Sequence, residues 1–297
     1  MITVADAELL ERETELHTLR AQLDSARHGC GTITLVEAPA GQGKTTVLRA
    51  VRAEASAAGL RTLGAIGAEL ERDFAFGIIR QLLPGLADTP ADTDHARLHA
   101  LYEHFADLAA EQPLLIVIDD VHWADAGSLK TLGMLARRIE DLPIALVAGL
   151  RPDQHEPLLD ALYAAPVAAV LHPAPLSPDA VAHLIETALN GELEPEFAAA
   201  AVRSTGGNPL LVRELRRTLA DGRFTGAAAE AEAVRRAVPG SVARLVQSRL
   251  RPLAPDALAL ARAVAVVCPR TDSAIIYALA GMSAAPAAAH DDAALQA

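Results

Sequence analysis

A lysine and a threonine close a glycine-bearing loop near the N-terminus. The segment Ala38-Pro39-Ala40-Gly41-Gln42-Gly43-Lys44-Thr45 lies between a β-rich run, 32–37, and a helix-forming stretch, 44–58. Backbone N–H groups of such a loop wrap a phosphate and hold it at the N-terminus of the helix, where partial positive charge favours an anion. Lys44 would reach the β- and γ-phosphates of a nucleotide, and the Thr45 hydroxyl would bind Mg²⁺. The predicted nucleotide-binding residues of the loop are Pro39, Ala40, Gly41, Gln42, Gly43, Lys44, Thr45 and Thr46.

Two acidic residues end a continuous apolar run. Residues 114–118 are Leu, Leu, Ile, Val and Ile, and Asp119 and Asp120 follow them. A parallel strand projects such carboxylates from its C-terminal edge, where ligands bind in open α/β sheets. Asp119 would hold Mg²⁺, and Asp120 would orient or deprotonate an attacking water. An apolar run ending in two acids is weak evidence alone, and the phosphate loop upstream makes it specific.

Two further residues accompany these acids. Arg151 follows the run 145–149, so it lies at the same edge of the predicted sheet and would sense the γ-phosphate. The alternative is a surface arginine that pairs with a loop acid. Trp123 is the only tryptophan of the chain. It packs the loop or contacts a partner, and packing is the favoured interpretation.

These residues require a sheet that brings several loops to one edge. Strands alternate with helices in the first 175 residues, which predicts a parallel sheet covered on both faces. The fold class is therefore α/β, a P-loop NTPase core with a five-stranded parallel sheet. The predicted strands are 32–37, 60–66, 114–118, 144–148 and 167–171, and the predicted helices are 9–27, 44–58, 76–84, 94–111, 125–141 and 155–163.

Only helices are predicted after Pro175. They cover residues 178–190, 194–204, 209–221, 239–251 and 255–267. Pro239-Gly240 is a plausible joint between two helical parts. The predicted domains are an N-terminal helix at 1–30, the ATPase core at 31–175, a helical lid at 176–237 and a further domain at 238–297.

The net charge of −12 is unevenly distributed along the 297 residues. Residues 1–200 hold 14 basic and 30 acidic side chains, whereas residues 201–270 hold 12 basic and 5 acidic ones. An acidic body repels the phosphates of nucleic acid, so we expect no DNA binding by this chain itself. The basic stretch 201–270 is instead expected to act within the molecule, as a lid attracted to the acidic body.

The sequence contains no pattern that predicts export or a membrane. The longest apolar stretch, 254–268, is interrupted by Asp256 and Arg262, and the first residues contain no apolar run that a signal peptide would need. Cys30 and Cys268 lack metal-binding or redox spacing and fit a reducing compartment. We therefore expect a cytoplasmic protein.

Several motifs occur together in this chain and resemble a known family. In combination they resemble the ATPase region of large ATP-binding LuxR-type transcriptional regulators, which belong to the STAND group of signalling NTPases related to AAA+ proteins. The resemblance covers about residues 8–268. Its motifs are Arg12-Glu13, the loop 38–45, Phe74-Ala75-Phe76-Gly77, Arg80-Gln81-Leu82-Leu83, Asp119 to Asp125 with Ser128, Leu150-Arg151-Pro152, and Thr205-Gly206-Gly207-Asn208-Pro209-Leu210.

The resemblance implies roles that the spacing of residues does not. Arg12 and Glu13 would border the adenine, and Asn208-Pro209 in a helical lid would contact or sense the nucleotide. A winged-helix domain would begin after Pro239. Two positions depart from the family pattern: Glu11 stands where relatives commonly have glycine, and Ala38 replaces the first glycine of the loop. If position 38 required a positive φ, alanine would weaken binding.

The resemblance also implies a function. It predicts a module that binds ATP or ADP with Mg²⁺, hydrolyses ATP slowly, and controls association with a partner or with itself. Family members usually continue into helical repeats and a DNA-binding helix-turn-helix, so we expect this chain to be a fragment or a natural short form. Three alternatives stay open: a P-loop small-molecule kinase, a binding module that holds ADP without turnover, and the ATPase module of another signalling fusion protein.

Overall fold

A computed structural model of the chain describes residues 9–86, 93–152, 154, 156–222, 224–236, 250, 253–266 and 273–281. Five strands form one sheet: β1 Thr32–Glu37, β2 Arg61–Ile66, β3 Leu114–Asp119, β4 Ile144–Leu150 and β5 Ala168–Leu171. Their spatial order is β2-β3-β4-β1-β5, and every pairing is parallel. The predicted five-stranded parallel sheet is confirmed, with strand bounds that agree to within two residues.

Helices cover both faces of this sheet. Those of the first 175 residues are α1 Glu13–Arg27, α2 Lys44–Ala57, α3 Gly77–Leu82, α4 Asp94–Glu111, α5 Ala126–Ala136 and α6 Asp160–Tyr163. One apolar core packs Leu19 and Val47 against Leu115, and the other packs Phe105 against Ile116. Successive strand residues face opposite sides. Strand β3 is therefore apolar without interruption because both of its faces are buried.

Four helices are shorter than the sequence predicts by more than one residue. Helix α1 begins at Glu13 and not at residue 9, and α3 covers Gly77–Leu82 and not 76–84.

Two other stretches predicted as single helices are divided. The pattern at 125–141 gives α5 and then a separate 3₁₀ helix, Ile139–Asp141, because Arg138 leaves the helical region with φ −132°. Ile139 is fully buried there, just before β4. In the stretch 155–163 a 3₁₀ helix, Pro157–Leu159, precedes α6.

Four of the later helices match predicted ones: α7 Pro178–Leu189, α8 Pro195–Thr205, α9 Pro209–Asp221 and, in the more C-terminal part, α11 Pro255–Val266. The sequence did not predict two further short helices, α10 Ala231–Arg236 and α12 Ser273–Leu279. Apart from residue 250, the predicted helix 239–251 lies outside the described residues, as do the joint at Pro239-Gly240, Cys268 and the last sixteen residues. The winged-helix beginning stays a prediction.

The chain divides into two compact units. One unit comprises residues 1–187 with 205–212, and the other comprises residues 188–204 with 213–297. The second unit has its own packing, in which the rings of Phe197 and Phe224 meet edge to face at 6.4 Å. Within the described part of the chain, no helix combines the length and the apolar character needed to cross a membrane.

Candidate functional site

The loop between β1 and α2 turns on two glycines. Gly41 has φ 79° and Gly43 has φ 96°, a left-handed conformation that glycine adopts without steric cost. Ala38 is not among the described residues with a positive φ, and its N–H donates to the carbonyl of Leu150 at 3.2 Å. Alanine therefore fits at this position, and the departure from the family pattern causes no backbone strain.

Lys44 is held inside the loop that precedes it. The residue begins α2 and is only 7% exposed. Its Nζ donates to the carbonyls of Ala38 at 2.6 Å and Pro39 at 3.2 Å. A buried ammonium needs such acceptors or an anion. The loop thus places one positive charge at the N-terminus of a fourteen-residue helix, where the helix dipole also favours a phosphate.

The two predicted magnesium ligands lie in direct contact. Thr45 Oγ1 donates to Asp119 Oδ2 at 2.6 Å, although 74 residues separate them. Asp119 Oδ1 accepts the N–H of Asp120 at 3.0 Å. A Cβ at Gly149 on the neighbouring strand would approach Asp119 Oδ1 to 3.1 Å, so glycine leaves room for the carboxylate. A hydroxyl and a carboxylate are hard oxygen donors, and the pair fits Mg²⁺.

Asp120 follows on a strained backbone. Its φ of 50° and ψ of 47° are left-handed, a conformation that aspartate tolerates better than most residues. Its side chain is 31% exposed, and Oδ1 lies 3.8 Å from Nε2 of His122, whose side chain is fully buried. The ring of Trp123 packs against His122 with centroids 5.1 Å apart, in line with the favoured interpretation of Trp123 as a packing residue.

Arg151 comes directly after β4, at the same C-terminal edge as Asp119. The residue is half-buried, and its buried Nε donates no hydrogen bond to the described residues. This placement leaves both interpretations of Arg151 open.

Arg12 has contacts that sequence reasoning missed. The guanidinium is 3% exposed and donates to the carbonyls of Gln42 at 3.3 Å and Ala174 at 2.8 Å. It therefore connects the phosphate loop to the segment that leaves β5. Glu13, the other residue assigned to the adenine border, is an exposed residue in the first turn of α1. Of Arg12 and Glu13, the described contacts place only Arg12 against the phosphate loop.

Glu11 adopts a left-handed backbone conformation. Its φ is 58°, in the region that glycine enters most easily. The glutamate carboxylate accepts from the Ser177 N–H at 2.8 Å and from the Ser177 hydroxyl at 2.6 Å. These hydrogen bonds lower the pKa of Glu11. The side chain thereby ties residue 11 to the start of α7.

Asn208 joins the start of α9 to the same loop. Its Nδ2 donates to the carbonyl of Ala40 at 3.1 Å, while Oδ1 accepts from the N–H groups of Leu210 and Leu211. The N–H of Leu210 also donates to the carbonyl of Gly41 at 3.2 Å. Pro209 is the first residue of α9, a common position for proline. Asn208 therefore caps the helix and contacts the phosphate loop.

Asp125 and Ser128 belong to a sequence motif that predicts no role for them. In the structure they form hydrogen bonds that hold the backbone. Asp125 Oδ1 accepts from the Phe76 N–H at 2.8 Å and the Ser128 N–H at 2.9 Å. Phe76 has φ 58°, so the carboxylate fixes a strained turn directly before α3. An aspartate immediately before a helix is a common N-cap, and that signal was available in the sequence.

The parallel sheet, the glycine-bearing loop before α2 and the acids at the end of β3 have the architecture of a P-loop ATPase core. Residues 8–147 match the family model described as the AAA ATPase domain. The match covers the part of the chain that holds the loop 38–43, Asp119 and Asp120.

Solved structures share this fold. A Walker-type ATPase of Pyrococcus abyssi has a TM-score of 0.62 at 16% identity, over 99% of this chain and 90% of that one. Cdc6p of Pyrobaculum aerophilum has a TM-score of 0.52 at 18% identity, over 97% of this chain and 85% of that one.

A curated relative extends well beyond this chain. An uncharacterized protein of Rhizobium meliloti is 26% identical over 257 residues, which cover 70% of this chain and 24% of the relative. The chain therefore spans about a quarter of the length of that protein.

Proposed function

We propose that this chain is the ATP-binding nucleotide switch of a LuxR-type transcriptional regulator, and that it hydrolyses ATP slowly. The observation that carries the proposal is the contact between Thr45 Oγ1 and Asp119 Oδ2 at 2.6 Å, beside the buried Lys44. A positive charge, loop amides and two hard oxygen donors meet at one edge of the sheet. This set of groups suits a triphosphate with Mg²⁺.

Each residue has a distinct part in this proposal. Lys44 and the loop amides bind the phosphates, and Thr45 with Asp119 would hold Mg²⁺, which neutralises phosphate charge when bound. Asp120, at the rim of the same edge, orients the attacking water or accepts its proton. Arg151 responds to the γ-phosphate. Arg12 and Glu13 are assigned to the adenine side.

The switch part of the proposal depends on α9. Asn208 donates to the carbonyl of Ala40, and the N–H of Leu210 donates to the carbonyl of Gly41. A change in loop conformation on phosphate binding would therefore act on the start of this helix. Pro209, with a fixed φ and no N–H, makes that start stiff. We propose that the helical region responds to ATP and ADP differently and so controls association with a partner or with a second copy.

The regulator context is supported by the combined motifs and by the greater length of the Rhizobium meliloti relative. A cytoplasmic location belongs to the same proposal. Two alternatives to this proposal are the ATPase module of another kind of signalling protein and a small-molecule kinase. Phosphate transfer from ATP to a small acceptor, faster than transfer to water, would favour the kinase.

Binding is tested with the two lysines of the chain, Lys44 and Lys130. Lys44→Ala removes the charge inside the loop, and we expect MgATP affinity to fall by roughly a hundredfold, close to 3 kcal/mol. Lys130→Ala removes the same charge from an exposed position in α5 and should leave affinity unchanged. Calorimetry measures both. Equal affinity of Lys44→Ala and the parent would contradict the assignment.

Hydrolysis is tested at Asp120. Asp120→Asn keeps the size of the side chain but removes the base, so ATP should stay bound while single-turnover hydrolysis falls at least tenfold. An unchanged rate would show that another group handles the water. The switch is tested by Pro209→Ala, which should change the ATP-to-ADP affinity ratio or the oligomer size. If neither changes, Pro209 only begins α9.

A further inference from the structure

The end of β2 lies against the main chain of Asp120. Gly67 follows β2, and its N–H donates to the carbonyl of Asp119 at 2.8 Å. A Cβ at position 67 would stand 2.2 Å from the carbonyl oxygen of Asp120 and 3.2 Å from Cβ of Trp123. Gly67 is not among the described residues with positive φ. Glycine is therefore required here for space and not for backbone conformation.

This close approach restrains a residue that is already strained. The Asp120 N–H donates to Asp119 Oδ1 at 3.0 Å, and its carbonyl accepts from the Trp123 N–H at 3.0 Å. Its left-handed φ of 50° persists only where surrounding structure imposes it. Gly67 and Trp123 supply that surrounding structure on the carbonyl side. The direction in which the Asp120 side chain leaves the backbone is thereby set.

The side chain of Asp120 has a neighbour of its own. Nε2 of His122 lies 3.8 Å from Asp120 Oδ1, and the imidazole is fully buried, packed on Trp123. At 3.8 Å this contact is longer than a hydrogen bond, so the attraction between the two groups is electrostatic, and it is stronger beside a buried group than in water. Packing holds the imidazole of His122 in one position, so the Asp120 carboxylate is the group that rotates to improve this contact. Asp120 keeps 31% of its side chain exposed, which leaves it accessible to water.

We propose that Gly67 and His122 are positioning residues for Asp120: Gly67 keeps its main chain in place, and His122 orients its carboxylate. This inference rests on the proposed function, in which Asp120 acts on the attacking water. Neither residue binds the nucleotide. Their substitution should therefore lower the rate of hydrolysis and leave ATP affinity as it is.

The kinetic test compares two glycines near the end of β2. Gly67→Ala meets backbone atoms, whereas a Cβ at Gly64 meets the guanidinium of exposed Arg52, which can move away. We expect Gly67→Ala to lower kcat about tenfold without changing the Kd for ATP, and Gly64→Ala to match the parent. His122→Phe should also lower kcat, and His122→Gln, which restores an N–H donor, should recover part of it. Equal kcat for the parent, Gly67→Ala and His122→Phe would overturn the proposal.

A second readout does not depend on turnover. The carboxyl ¹³C resonance of Asp120 is assigned as the aspartate signal that Asp120→Asn removes from the nucleotide-free protein. It should shift in His122→Phe and in Gly67→Ala, and stay in place in Gly64→Ala. A parent that binds ATP without hydrolysing it would defeat the proposed hydrolysis, and this resonance would still decide the positioning. An unmoved resonance in His122→Phe would overturn the inference, and so would a shifted resonance with unchanged kcat if the parent hydrolyses ATP.

Discussion

The loops that follow β1 and β3 are held in different ways. The phosphate loop, residues 38–43, is bonded by residues far away in the chain: Arg12 reaches the carbonyl of Gln42 from 30 residues before it, and Asn208 reaches Ala40 from 168 residues after it. The acidic loop, residues 120–125, is held by the N-cap of its own helix, α5, and by the main-chain N–H of Phe76, just before α3 and 49 residues before Asp125. Both loops lie at the C-terminal edge of one sheet, where β4 separates their two strands.

This difference separates two functions that share an edge of the sheet. Contacts to the phosphate loop come from Arg12, just before α1, and from Asn208 and Leu210 at the beginning of α9. Contacts to the acidic loop come from the residues just before α3 and from the first turn of α5, two helices that pack on the sheet. We therefore expect substitutions around the first loop to change nucleotide affinity, and substitutions around the second to change stability and turnover.

The largest expected effect is on the acidic loop. Asp125→Ala leaves the N–H groups of Phe76 and Ser128 without their acceptor at a site only 4% exposed. The cost of such buried groups predicts a loss of about 3 kcal/mol in the free energy of unfolding, measured by denaturant titration. Thr93→Ala removes an exposed cap from α4 and should cost about 1 kcal/mol. Equal losses would show that the contact with Phe76 contributes nothing.

The next effect is on the phosphate loop. Gly41→Ala would place Cβ 2.7 Å from Asn208 Oδ1 and 2.9 Å from Cβ of Leu210. Gly59→Ala has a similar φ of 81° but open space around it, so it controls for backbone strain alone. We expect Gly41→Ala to weaken ATP binding at least tenfold in calorimetry, and Gly59→Ala to leave it unchanged. If both variants bind ATP like the parent, the contact with Asn208 does not hold the loop.

A smaller effect distinguishes the two roles of Arg12. If its bond to Gln42 positions the phosphate loop, Arg12→Lys should weaken ATP and GTP by the same factor, roughly threefold to tenfold, because both nucleotides present the same phosphates. If Arg12 borders the adenine, ATP should lose more affinity than GTP. Competition binding with the two nucleotides measures the ratio. An altered ATP-to-GTP ratio would place Arg12 at the base and break the comparison between the loops.

Much of the sheet could be predicted because its signals are local. Continuous apolar runs predicted β3 and β4, and the glycines with Lys44 predicted the loop where α2 begins. The contact of Thr45 with Asp119 follows from the parallel order of the strands, which places both residues at one edge. These features depend on neighbouring residues or on a rule of topology.

The remaining contacts could not be predicted because no local pattern marks them. Glu11 and Ser177 lie 166 residues apart, and their pairing depends on how α1 and α7 pack. The same holds for Arg12 and Ala174. The conformation of Asp120 escaped prediction for another reason: aspartate adopts many conformations, and the close approach of Gly67 to its main chain is a contact between different strands.

The smallest expected effect concerns the pH dependence of the phosphate-loop side. Hydrogen bonds from Ser177, first through its hydroxyl and then through its N–H, lower the pKa of Glu11 below 4.5. A carboxyl group whose pKa is lower in the folded state stabilises the fold above its unfolded pKa, and the contribution is lost as the pH falls through the folded value. Glu11→Gln should therefore destabilise the protein slightly at pH 7.

The difference between parent and Glu11→Gln should shrink as the pH is lowered through 4.5 and below, because the parent carboxylate then becomes protonated. Glutamine keeps a non-glycine residue at φ 58°, so backbone strain stays the same in both proteins. Glu13→Gln makes the same change in net charge at an exposed neighbour and serves as the control. Urea unfolding between pH 3.5 and 7 measures both variants. A Glu11→Gln deficit that stays constant over this range would mean that the Ser177 contact does not depend on the charge of Glu11, and that the tie between residue 11 and α7 is not electrostatic.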